Sequence, residues 1–111
     1  MGALAATTPT RAGVTTAGAA VSASDTIAPA LLGSFGAFLE IINGNAAVDN
    51  VTISDASTTV TGAAAASLAP TVANATSKIF KITPAMADPV TGVTVGHSVT
   101  ATVTYKLYPL G

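Results

Sequence analysis

Between residues 97 and 108 the chain alternates. Val99, Ala101, Val103, Tyr105 and Leu107 take one phase; Thr100, Thr102, Thr104, Lys106 and Tyr108 take the other. Successive side chains of a strand point to opposite faces, so the pattern predicts an antiparallel strand with one side buried. Its phase assigns Tyr105 to the core. Residues 35–43 form the most hydrophobic segment, with Leu39 and Ile41 on one face and Phe38, Glu40 and Ile42 on the other. Asn43, Gly44 and Asn45 tolerate positive φ and end that strand in a turn. Alternation resumes at 51–54, with Asp49 and Asn50 where the chain rejoins a sheet. Residues 57–61 read as a further short strand closed by Gly62, and residues 78–83 as another that stops at Pro84. Turns at Asp88-Pro89 and Thr91-Gly92 precede a strand over 93–95.

Helix is tempting only at the four alanines 63–66, which Gly62, Ser67 and Pro70 hem in, so a loop is expected there. Short strands with Gly, Pro and Asn between them predict an all-β chain. The expected architecture is a single antiparallel β-sandwich (jelly-roll or Ig-like) or a small barrel, since both use the same alternation. Residues 24–111 supply that domain. Residues 1–23 are Ala, Thr and Gly, with Leu4, Val14 and Val21 as their bulkier side chains. They read as an extended N-terminal arm that orders against a partner, or equally as a tail or weak first strand.

Composition changes the picture more than the pattern does. Charged residues make up 8% of the chain, against about 25% in an ordinary soluble domain. Half of it is hydrophobic, its mean hydropathy is +0.62 and its net charge is −1. Such a chain is expected to work with much of its surface against other protein. Arg11, Lys78, Lys81 and Lys106 are too few and too scattered for a nucleic-acid face. No run of about 18 uninterrupted apolar residues offers a membrane span. Residues 1–6 lack the basic start of a secretion signal, and Ala6 stands where myristoylation wants Ser or Thr, so an unsecreted, unlipidated chain is expected. The sequons at Asn50 and Asn74 are what a Thr-rich chain produces by chance.

Candidate chemistry is sparse. With no cysteine there is no disulfide, thiolate ligand or cysteine nucleophile. His97 has no partner at a metal-ligand spacing, no serine sits in a nucleophile elbow, and Gly33-Ser34-Phe35-Gly36 lacks the lysine of a phosphate loop. A calcium loop is approached only by Asp49, Asn50 and Asp55, without its spacing. Asp25, Glu40, Asp49, Asp55 and Asp88 read as turn and edge residues rather than an acid–base pair, and no Trp lines a sugar cleft. The expectation is a non-enzyme with no catalytic, cofactor or metal residues.

The stretch from Phe38 through Asn43, Gly44, Asn45, Ala46 and Ala47 to Val51, Thr52 and Ile53 resembles the small capsid decoration (cement) proteins of tailed bacteriophages, particularly those of actinobacteria. The segment from Lys78 to Pro84, the closing strand to Leu107 and the Ala/Thr-rich beginning are similar too. The resemblance implies a virion protein, made in the host cytoplasm, that sits on the outer capsid surface and clamps the major capsid protein. A homo-oligomer is expected, with a trimer suiting three-fold positions. Arg11 and Val14 in the arm, and Tyr108 and Leu110 at the other end of the chain, are the candidate interface residues. The alternatives are a tail-tube or fibre-base module, or a surface ligand-binding β-sandwich.

Overall fold

The apolar runs that alternate in the sequence become the inner faces of two sheets. The structure, a computed structural model, describes residues 2–15, 18–58 and 60–110. Its strands are β1 (Gly2–Ala3), β2 (Ala19–Ala20), β3 (Ser24–Ile27), β4 (Ala37–Asn43), β5 (Asp49–Asn50), β6 (Thr52–Ile53), β7 (Thr71–Val72), β8 (Thr76–Ile82), β9 (Val93–Gly96) and β10 (Val103–Pro109). One sheet runs β1-β3-β9-β6, the other β2-β10-β4-β8, and β5 pairs with β7. Among the described residues strand, isolated bridges included, takes up 42% and helix 7%, and no sheet closes into a barrel, so the fold is an all-β sandwich. All strand pairs are antiparallel except β1 with β3, which is parallel.

The core lies between the two sheets. Leu39 and Ile41 of β4 and Val103, Tyr105 and Leu107 of β10 face Ile27, Val93, Val95, Val51 and Ile53. Fully burying a side chain such as Leu39 or Ile53 stabilises the fold by about 1.5–3 kcal/mol. Buried Asn43 fastens the layers with polar bonds: its Nδ2 donates to Val72 O and Ala47 O, each at 2.9 Å, and its Oδ1 accepts from Asn45 N. A single helical turn, α1 (Pro29–Leu32), with Pro29 in its first turn, carries the chain from β3 to β4 and buries Leu32. It is too short for any helical period to announce it.

Two expectations need correction. The alternation read over 97–108 becomes strand only from Val103, because Ser98 is a bend and Ala101 and Thr102 form a turn with Thr102 at φ 57°. The strand expected over 57–61 is not found among its described residues: Thr58 makes an isolated bridge to Ala64, and Thr59 lies outside the described residues. Leu4 and Val21, two of the bulkier side chains of residues 1–23, are both buried. That stretch is stitched in at both ends: β1 lies beside β3, and β2 lies beside β10. Of residues 1–23, Met1, Thr16 and Ala17 lie outside the described residues, as does Gly111.

Candidate interaction surface

The outward face of the β2-β10-β4-β8 sheet is set by the register. Tyr108, Phe38 and Lys81 stand in one row across β10, β4 and β8; Lys106, Glu40 and Ile79 in the next; Thr104, Ile42 and Ser77 in the third. An exposed sheet face normally carries polar residues in this phase. Here Tyr108, Phe38, Ile79 and Ile42 share it with Lys81, Lys106, Glu40, Thr104 and Ser77, and Ile79 is 61% exposed and Phe38 40% exposed. The Lys81 ammonium lies 5.7 Å from the centroid of the Phe38 ring, within cation–π range. Past the first row, Leu110 N donates to Gly36 O, and Phe35 beside it is 67% exposed.

Of the four candidate interface residues, Tyr108 and Leu110 fall on or beside this face, Tyr108 half-buried and Leu110 exposed. Arg11 and Val14 do not join them on any element. They are exposed in the irregular stretch that follows Thr7, whose N–H donates to Leu107 O. Phe35, Phe38 and Ile79 were missed as surface residues. A signal for one was in the sequence: Phe38 stands opposite in phase to the buried Leu39.

No protein-family model, no curated protein and no solved structure matches this chain. Among the described residues no three His, Cys, Asp or Glu side chains cluster to hold a metal ion, and no helix is long and apolar enough to cross a membrane.

Two buried carboxylates are occupied by the chain's own donors. Asp49, fully buried, lies with Oδ2 2.7 Å from Nδ1 of His97, while its Oδ1 accepts from Ser98 N at 3.0 Å. The bond pins β5 to the loop after β9, and Ser98 Oγ accepts from Asn50 N. It is a structural clasp, to which the Ser98 hydroxyl adds by accepting from backbone. Asp25 lines an open cleft of about 300 Å³ between the N-terminal segment and Tyr105. Its Oδ2 accepts from Ser22 N at 2.9 Å, and its Oδ1 accepts from Gly2 N and the Ser22 hydroxyl. The remaining aspartates hold turns. The Ser57 hydroxyl, then its N–H, keeps Asp55 ionised to below its ordinary range. The N–H groups of Val90 and Thr91 do the same for Asp88.

Proposed function

We propose that this chain is a non-enzymatic structural protein of a phage virion, which binds the outer capsid surface and holds neighbouring major capsid subunits together. The observation that supports this reading is the outward sheet face, where Phe38 and Ile79 stand exposed and Tyr108 half-buried, with exposed Phe35 and Leu110 past its first row. Exposed apolar residues on a charge-poor chain suit a surface that works against protein, because few charges must be stripped of water on docking. Many copies across capsomer seams would add buried area that separation must undo, even where each contact is modest. The likeness of residues 38–53 and 78–107 to decoration proteins points the partner toward a capsid, and self-association as a trimer fits three-fold sites.

Co-sedimentation with undecorated capsids tests the reading. The expected result is saturable binding at an integer number of copies per capsomer, with shells that then withstand heat better. Phe38→Glu, a change on an exposed position, should abolish binding and leave the protein's melting temperature within a few degrees. Failure of the unaltered protein to bind shells overturns the capsid reading.

A further inference from the structure

The edges of the two sheets are treated unequally. The outer edge of β10 is covered by the chain itself: Val21 N donates to Val103 O, β2 pairs with Thr104 and Tyr105, and Thr7 N donates to Leu107 O. The outer edge of β6 is covered by the segment before β7, through Val51 N to Pro70 O and the reciprocal bonds of Ile53 and Leu68. Among the described residues, β8 is left as the one long strand with a bare edge. It is also exposed on both faces from Thr76 to Ile79.

Which backbone groups are bare follows from the ladder. Gly44 N donates to Thr102 O, and Leu110 N donates to Gly36 O. In antiparallel pairs hydrogen-bonded and non-bonded positions alternate, so the even residues of β4 turn their N–H and C=O toward β10 and the odd ones toward β8. With Leu39 opposite Phe80 and Ile41 opposite Lys78, the even residues of β8 bond to β4. Ser77, Ile79 and Lys81 are therefore left with their backbone groups pointing outward.

Charge then selects the occupant. The sheet that ends in β8 holds Lys78, Lys81 and Lys106, three of the chain's four basic residues, against one acidic residue, Glu40. β8 itself has two lysines and no acid. Lysine on an edge strand discourages pairing with a second copy, because like charges collect along the seam. Lys81, and Lys78 once its ammonium leaves the Thr71 carbonyl to which it donates at 2.6 Å, favour a strand of opposite charge.

We propose that β8 accepts an extended acidic segment of a partner protein as the next strand of the sheet. Backbone bonds to Ser77, Ile79 and Lys81 supply affinity, and side chains supply selection. Lys78 and Lys81 lie three positions apart, with Ile79 and Phe80 between them. The fitting segment therefore carries acidic residues three apart with two apolar residues between, which reads the same in either direction. The site stands independently of the capsid reading, since any protein could present such a segment.

The test uses the full chain and a β-prone decapeptide with Glu-Val-Val-Glu at its centre. Fluorescence anisotropy should show saturable binding that weakens several-fold in 0.5 M salt, and a Lys-Val-Val-Lys peptide should bind at least tenfold more weakly. Amide exchange should slow on binding at Ser77, Ile79 and Lys81, and not at the even positions, which are already bonded to β4. Ile79→Pro removes an outward N–H that the native sheet does not use, so it should fold and bind at least tenfold more weakly. Lys81→Glu should lose binding by a similar factor without touching the backbone. Absence of peptide binding, protection at other amides, or unchanged affinity in both variants overturns the proposal. So does self-association through β8 without peptide, which would make a second copy the occupant. Loss of capsid binding with peptide binding retained would strike only the virion role.

Discussion

A buried carboxylate needs donors, and Asp49 shows how few side chains hold this loop region in place. Its Oδ1 keeps the Ser98 amide whatever happens to His97, but its Oδ2 depends on the imidazole. His97→Ala leaves a carboxylate oxygen in the interior without that partner, and breaking such a pair costs about 3 kcal/mol. That is a large share of the roughly 5–15 kcal/mol that stabilises a domain. Urea denaturation should show the loss as a lower midpoint at unchanged slope. An unchanged midpoint would mean that water takes over the imidazole's bond. His97 stands just past the end of β9, beside Gly96. Its partner could not be read, because Asp49 lies 48 residues away and nothing local marks the pair.

At the scale of elements, local rules decide turns and distant partners decide where strands stop. The turn at Asp88 closes with reciprocal backbone bonds to Gly92, and Gly92 has φ +78° with Ile27 O only 1.9 Å from where a Cβ would sit. Gly92→Ala combines left-handed strain with a backbone clash and should cost more than about 2 kcal/mol. Gly62, at φ +88° with nothing within 4 Å of its Cβ position, carries the strain alone. Gly62→Ala should therefore cost about 1 kcal/mol. Comparable thermal shifts for the two variants would show that β3 moves aside. Strands β4, β8 and β9 were legible because their alternation is local and flanked by Gly, Asn or Pro. The beginning of β10 was not, because Val99 and Ala101 keep the alternation while Asp49 draws the Ser98 amide out of line. The outward face was half legible. Tyr108 and Leu110 stood out at the chain's end, whereas the exposure of Ile79 depends on β8 being an edge, which only the pairing order reveals.

For the whole molecule, the question is whether residues 2–21 are an appendage or part of the body. Leu4 and Val21 are in the core, Ala5 N donates to the Tyr105 hydroxyl at 2.8 Å, and β2 with Thr7 covers the edge of β10. Losing the two buried side chains alone removes about 3–6 kcal/mol at the usual 1.5–3 each. The outward backbone of Val103, Tyr105 and Leu107 would also be bared beside an apolar core, an invitation to pair with another copy. Deleting residues 2–21 should therefore lower the melting temperature by well over 10 °C, since about 1 kcal/mol is worth roughly 4–8 °C at this size. Light scattering should show the truncated chain associating. Trimming only the exposed loop tip around Arg11 and Val14 makes the decisive contrast. That change spares every bond to β10 named above, so stability should hold while any binding role of the loop is lost. A truncated chain as stable as the full one would make the N-terminal segment a detachable arm and leave β10 with a second open edge. The sheet would then offer docking strands on both sides, and selection of a partner by the lysines of β8 would no longer set one edge apart from the other.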